Sequence, residues 1–80
     1  MSEPKPASVA VDGAKLRELR QLTGCTLAEF ASTCAISTAY LSMIERGDRR
    51  RVSPRVYARI CHGLKLTGQR QRRTLLKVAA

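Results

Sequence analysis

Aromatic residues are scarce in this 80-residue chain, which has no tryptophan, one phenylalanine and two tyrosines. Proteins that hold single-stranded nucleic acid present aromatic rings on which the bases stack, and so few rings leave little for such a platform. A small aliphatic core favours packed helices in one domain. A chain of this length also has no room for a catalytic cleft between two lobes.

The cysteine and histidine residues are too few, and too unfavourably spaced, to form a disulfide framework, a metal site or a catalytic site. The three cysteines, Cys25, Cys34 and Cys61, lack a Cys-x-x-Cys spacing, which favours neither a disulfide framework nor a four-ligand zinc site. His62 adjoins Cys61, and neighbouring side chains on a helix point about 100° apart, which keeps them from sharing one ion. No nucleophile stands at catalytic spacing from the histidine, and no Gly-rich phosphate loop is present. We therefore expect that the chain is not an enzyme and that it binds neither a metal nor a cofactor.

Long apolar runs are also missing, which excludes a membrane-spanning segment of about 20 apolar residues. The first eleven residues contain prolines and serines but no apolar core of a signal peptide. The sequence therefore predicts a disordered leader over residues 1–11, one domain over residues 12–80, and a cytoplasmic location with no membrane partner.

Acidic residues are also scarce. The chain has six Asp and Glu against fifteen Lys and Arg, which gives a net charge of +9. On so small a body this charge creates a strong positive field that attracts polyanions. Duplex DNA, RNA and an anionic membrane surface all fit, and charge alone does not choose among them. The absence of a long apolar helix face argues against the membrane surface.

Capping signals divide the chain into five predicted helices. The first runs from residue 13 to about 23, the third from 38 to about 46, and the last from 68 to about 78. The predicted caps are, in order, Asp12, Thr26 in a capping box with Glu29, Ser37, Ser53 before Pro54, and Thr67.

The most informative stretch is Thr26 to Gly47, where two helices of about eight residues are separated by a short turn. This spacing is typical of a pair in which one helix braces against the DNA backbone and the next enters a groove about 12 Å wide. Close crossing requires a small residue in the middle of the first helix, and Ala31 stands there. Leu41 and Ile44 are expected to anchor the second.

In this register the sequence resembles the Cro and phage-repressor type of helix-turn-helix proteins, also called XRE-like. The resemblance covers about residues 16 to 66, and it is carried by Leu16–Arg20, Thr26–Ala31, Ile36–Gly47, Ser53, Pro54 and Leu64. It implies an all-α, compact five-helix fold like that of lambda repressor, with a structural ion pair between Arg20 and Glu45. The sequence departs from the family at Leu27, where a Gln that contacts the backbone is frequent, and at Ala35, which replaces the usual turn glycine.

The third helix and the loop after it are the expected DNA contacts. Base contacts are expected from the side opposite Leu41 and Ile44, namely Ser37, Thr38, Ala39, Ser42 and Met43. Phosphate contacts are expected from Thr26, Tyr40, Arg46, Arg49, Arg50 and Arg51. No Arg, Asn or Gln stands at the start of the helix for a bidentate base contact, so specificity is expected to depend on hydroxyls, bridging water and DNA shape.

The resemblance implies a sequence-specific regulator of transcription that binds double-stranded DNA. Small size favours a repressor, acting as a homodimer on a palindromic operator in phage, plasmid or other mobile-element control, near the bacterial nucleoid. Leu75, Leu76 and Val78 are expected either to form the dimer seam or to seal the core. No small-molecule ligand is expected. The alternatives are a non-specific RNA- or nucleoid-binding protein and an antitoxin-type interaction module.

Overall fold

A computed structural model describes residues 8–76 of the chain. The predicted helices are all present, and their helical architecture confirms the fold class. In chain order they are α1 Gly13–Leu22, α2 Leu27–Thr33, α3 Thr38–Arg46, α4 Pro54–Gly63 and the short α5 Gln69–Arg72, which a 3-10 turn extends over Arg73–Leu75. Two strands that the sequence did not predict, β1 Val9–Ala10 and β2 Arg51–Val52, form a small antiparallel sheet.

The first four helices begin at their predicted caps. Asp12, Ser37 and Ser53 each accept a hydrogen bond from the backbone N–H three residues further on, at 3.1, 3.0 and 3.2 Å. Thr26 and Glu29 form both bonds of the capping box, at 3.1 and 2.9 Å. Each bond satisfies a backbone N–H that has no partner inside the helix, which is why these boundaries could be located from the sequence.

The last helix is shorter than predicted, and it begins after Gly68 rather than Thr67. The chain leaves helical geometry because its later backbone groups bond elsewhere. The carbonyl of Leu75 accepts from the N–H of Asp12 at 2.7 Å, and Leu76 is extended and forms a bridge with Val11. These bonds hold the segment against the start of α1.

Residues 9–11 belong to the folded unit, whereas the sequence predicted a disordered leader as far as residue 11. Val9 pairs with Val52, and the N–H of Val11 donates to the carbonyl of Arg50 at 2.9 Å. Val11 and Val52 are both buried in the core. Burial of these apolar side chains, together with the backbone bonds, offsets the entropy lost in ordering the strand.

The core lies where the first four helices meet. The α2 and α3 axes are bent by 108° relative to each other, within the range of helix-turn-helix pairs. Within residues 8–76, no single helix is long and apolar enough to cross a membrane. The largest fully buried side chains are Phe30, Leu16, Leu41, Ile44, Ile60, Leu75, Cys34 and Cys61.

Candidate nucleic-acid interface

The turn between α2 and α3 sets the direction of the second helix. Ala35 adopts a left-handed conformation with φ of 57°, as expected of the position that usually holds glycine. The N–H of Ala35 donates to the carbonyl of Ser32 at 3.1 Å, and that of Ile36 donates to Ala31 at 3.0 Å. A non-glycine residue here costs about 1–2 kcal/mol, and the two bonds show how the surrounding backbone holds it in place.

An ion pair ties α3 to α1. The Nε of Arg20 donates to Oε2 of Glu45 at 2.6 Å, and its Nη2 donates to Oε1 at 3.1 Å. Nη1 donates to the carbonyl of Cys25 at 2.9 Å, so the guanidinium also holds the chain just before α2. The hydrogen-bonded carboxylate of Glu45 raises the pKa of Arg20. The two side chains are 11% and 5% exposed, so both charges depend on this fork for compensation.

A close backbone approach provides a second connection between the same helices. Gly13, the first residue of α1, packs directly on the last turn of α3. A Cβ atom built there would lie inside contact distance of the Ile44 carbonyl oxygen and 2.9 Å from that of Glu45. The sequence pattern did not single out this residue, because a glycine at a helix start is too common a feature to indicate close packing.

With its inner face fixed, α3 presents the opposite face to solvent. Four of the five expected base-contact residues are exposed and the fifth, Ser42, is half-buried. Leu41 and Ile44 on the inner face are fully buried. The Ser37 hydroxyl accepts the N–H of Tyr40, so it serves as a helix cap. The outward face therefore offers hydroxyl and apolar groups and no charged side chain in its first turn.

The loop after α3 folds back along that helix. Gly47 ends α3 in a left-handed conformation, with φ of 84°. The N–H of Arg49 then donates to the carbonyl of Met43 at 3.1 Å. The guanidinium carbon of Arg49 lies 5.5 Å from the centroid of the Tyr40 ring, at cation–π distance. This loop residue is thereby placed beside the first turn of the helix.

The neighbouring arginines are placed differently. Arg46 forms an exposed ion pair with Asp48 at 3.3 Å. Arg51 donates from Nε to the Ser8 hydroxyl at 2.6 Å and from Nη2 to the Ser8 carbonyl at 2.9 Å, which connects it to the start of β1. Arg50 is exposed. The expected phosphate-contact residues therefore lie on several elements: Thr26 caps α2, Tyr40 and Arg46 belong to α3, Arg49 and Arg50 to the loop, and Arg51 to β2.

A family model described as a helix-turn-helix domain matches residues 13–75, from the first residue of α1 to the end of the 3-10 turn. The chain belongs to this helix-turn-helix family. The crystal structure of SinR, a master regulator for biofilm formation, in complex with DNA is similar, with 26% identity and a TM-score of 0.71 over 80% of this chain and 98% of that chain. The clp gene regulator ClgR from C. glutamicum is 43% identical, with a TM-score of 0.60 over 66% of this chain and 68% of that chain. No curated protein matches significantly.

Positive charge in this helix-turn-helix protein is concentrated after α3. Between Thr26 and Gly47 there are two acidic residues and one arginine, whereas no Asp or Glu follows Asp48. In the segment that the structure describes, every lysine and arginine after Asp48 is exposed. The ten basic residues of the whole segment are Arg49, Arg50, Arg51, Arg55, Arg59, Lys65, Arg70, Arg72, Arg73 and Lys77. The basic residues are thus concentrated in the loop after α3 and in the elements that follow it.

The expected dimer residues of the helix-turn-helix protein lie in three different settings. Leu75 is fully buried within the chain's own core. Leu76 is half-buried and pairs with Val11. Val78 lies outside the described residues. Of the two roles that the sequence left open for Leu75, the structure places it in the core.

Proposed function

We propose that this chain is a transcriptional regulator that binds double-stranded DNA sequence-specifically by inserting α3 into the major groove. The observation that carries the proposal is the contrast between the two faces of α3. Its inner face is fixed to α1 by the fork between Arg20 and Glu45, whereas its outer face exposes no large hydrophobic side chain apart from Met43, which is 37% exposed. A helix held in this way can be docked as a rigid body. The DNA complex of the similar SinR structure supports DNA as the partner.

The outer face suits a modest base-reading role. Thr38 and Ser42 have hydroxyls that donate to or accept from several base edges, and Ala39 and Met43 offer apolar contact to a thymine methyl group. Ser37 contributes through the cap that it forms. Such contacts discriminate weakly one by one, so bridging water and DNA shape are expected to add specificity.

Phosphate contacts are proposed for the loop and for the start of α2. Arg50 is the leading candidate because it is exposed beside the end of α3. Arg46 would exchange its exposed pair with Asp48 for a phosphate at small cost, since such pairs contribute about 0–1 kcal/mol. Thr26, the Tyr40 hydroxyl and Arg51 complete the proposed set, and Arg51 would act while joined to Ser8.

The salt dependence of DNA binding tests this assignment. Arg50→Ala should reduce the slope of log affinity against log salt by about 1, the value for one neutralised phosphate. Arg70→Ala is the matched control, because it removes the same charge from α5 rather than from the loop. Equal reductions in both variants would show that the charge acts as a diffuse field and would contradict a phosphate contact at Arg50.

Repression as a homodimer is part of the same proposal. Two copies of the chain, bound to half-sites about 34 Å apart, would multiply the limited specificity of one α3. A bound dimer would also block a promoter that its operator overlaps. Leu76 remains a candidate for the seam, whereas Leu75 is already occupied in the core. Control of a phage, plasmid or other mobile element, at the nucleoid, is the setting that we propose.

Selection of bound fragments from random duplex DNA at about 0.15 M salt tests the function as a whole. A palindromic motif is expected for a dimeric regulator, and a single half-site for a monomeric one. Recovery without enrichment would mean that binding is only electrostatic, and it would favour the alternative of a non-specific nucleic-acid-binding protein.

A further inference from the structure

We propose that Arg49 reads a base, and that the ring of Tyr40 holds it in position to make a bidentate contact with a guanine. The inference rests on the proposed function and deepens it. It assigns to a residue of the loop after α3 a charged, bidentate base contact, which no side chain in the first turn of α3 can make. The sequence alone groups Arg49 with its neighbours on phosphates, and the geometry of its side chain sets it apart from them.

The position of Arg49 follows from two contacts with α3. Its backbone N–H is bonded to the carbonyl of Met43, and its guanidinium lies over the ring of Tyr40 one turn earlier in the helix. Residues three apart on a helix are neighbours on one flank, so the side chain of Arg49 runs back along α3 from Met43 toward Tyr40. Both helix residues border the exposed face that carries Ala39.

The contact with Tyr40 leaves N–H donors of the guanidinium available. The guanidinium carbon lies 5.5 Å from the ring centroid, and the five N–H donors of arginine spread around the edge of the group, so some of them point away from the ring. Two of those donors match O6 and N7 of guanine in the major groove. Because the ring of Tyr40 already restricts the side chain, less rotamer entropy is lost when the contact forms.

The neighbouring arginines are engaged differently. Arg46 is paired with Asp48, and Arg51 is bonded to Ser8. A phosphate contact needs mainly charge, which lysine supplies as well as arginine, whereas a stacked, bidentate base contact needs the planar fork. The substitution Arg49→Lys therefore separates the two roles of this residue.

The experiment uses the full chain and the motif obtained by selection from random duplex DNA. Wild type, Arg49→Lys and the matched control Arg50→Lys are titrated against that duplex and against duplexes in which one guanine at a time is replaced by 7-deazaguanine. This analogue still pairs with cytosine but lacks the N7 acceptor. At one position, wild type and Arg50→Lys should lose about 5-fold or more in affinity, since the analogue removes one of the two acceptors of a contact whose full value is about 5- to 150-fold. Arg49→Lys should lose clearly less there, because lysine can reach the same acceptors but has no planar fork for the Tyr40 ring to hold in position.

The role of Tyr40 is tested with two further variants. Tyr40→Phe keeps the ring and should keep the 7-deazaguanine effect, whereas Tyr40→Leu should reduce it. Thermal unfolding of Tyr40→Leu shows whether that variant is folded, and Arg49→Lys gives a result that does not depend on it. Loss of the effect in Tyr40→Phe would contradict stacking as the positioning contact.

Three results would overturn the inference. The first is an Arg49→Lys variant that keeps both the full 7-deazaguanine effect and the wild-type affinity, and the second is one that keeps the full effect but binds every duplex more weakly by the same factor, which indicates a phosphate contact. The third is a wild-type motif in which no guanine responds to the analogue. A wild-type protein that enriches no motif at all would instead refute the proposed function, and that outcome is known before any variant is made.

Discussion

Adding one methyl group to Gly13 should loosen the joint between α1 and α3. The new Cβ would meet the backbone carbonyl oxygens of Ile44 and Glu45, the latter at 2.9 Å, and the Glu45 carbonyl carbon at 3.1 Å. All three contacts are backbone atoms, so no side chain can rotate away. The last turn of α3 or the first turn of α1 must shift instead.

Overpacking costs about 1–3 kcal/mol, and the upper part of that range, about 2–3 kcal/mol, is expected here because only backbone atoms can move; alanine recovers up to about 1 kcal/mol because it has less freedom than glycine in the unfolded chain. We expect Gly13→Ala to lower the free energy of unfolding by about 1–2 kcal/mol. For a domain of this size, that loss lowers Tm by roughly 4–16 °C. Urea titration followed by far-ultraviolet circular dichroism measures the first quantity, and a thermal scan measures the second.

Gly68→Ala is the matched control, because Gly68 has a φ of −84° and the atom nearest to a methyl group added there would be the Gln71 side-chain oxygen at 3.9 Å. It should change stability by less than about 0.5 kcal/mol. A Gly13→Ala protein as stable as wild type would refute the claim that backbone contact at this joint fixes α3.

Three other predictions concern single side chains. Glu45→Ala should lower the free energy of unfolding by about 3–5 kcal/mol, because it leaves the buried guanidinium of Arg20 unpaired. Asp48→Ala, which breaks an exposed pair, should lower it by less than about 1 kcal/mol, and equal urea midpoints for the two variants would contradict this. The backbone N–H of Thr26, the α2 cap, donates to the Glu29 carboxylate and lowers its pKa below the ordinary value of 4.5. The ionised carboxylate therefore stabilises the fold fully above pH 4.5, and this stabilisation is lost as the pH falls through the folded pKa. The difference in stability between wild type and Glu29→Gln should shrink in acid, and a constant difference would count against the capping contact. Burial raises the pKa of the Cys34 thiol to about 11, so mass spectrometry after brief alkylation at pH 8 should find label on the half-buried Cys25 and none on Cys34 until the protein unfolds.

Local chemistry explains which parts of the fold could be predicted. Asp12, Ser37 and Ser53 cap the helices that the sequence assigned to them, because a cap depends on residues three positions apart. The left-handed Ala35 was likewise located by its place in the turn. Lys65, also left-handed with φ of 61°, was missed, because lysine gives no signal for that conformation.

Pairing between distant segments explains what could not be predicted. The sequence contains no sign that Val9 would pair with Val52, because a two-residue strand has no periodicity to detect. The shortened last helix has the same origin, since Leu76 leaves the helix to pair with Val11. At the candidate interface, the outward residues of α3 followed from helical periodicity. The cation–π contact between Arg49 and Tyr40 did not, because it depends on how the loop folds back.

The position of β1 has a consequence during folding. The strand pairs with β2, and Val11, directly after the strand, also pairs with Leu76 near the end of the chain. Before the segment that carries Leu76 has docked, β1 can pair with β2 on one side, but the other side of Val11 stays open. An unpaired strand edge is a place where a second chain can add. Docking of Leu76 closes that edge within the same chain, so a variant in which this segment docks slowly would stay open to aggregation for longer.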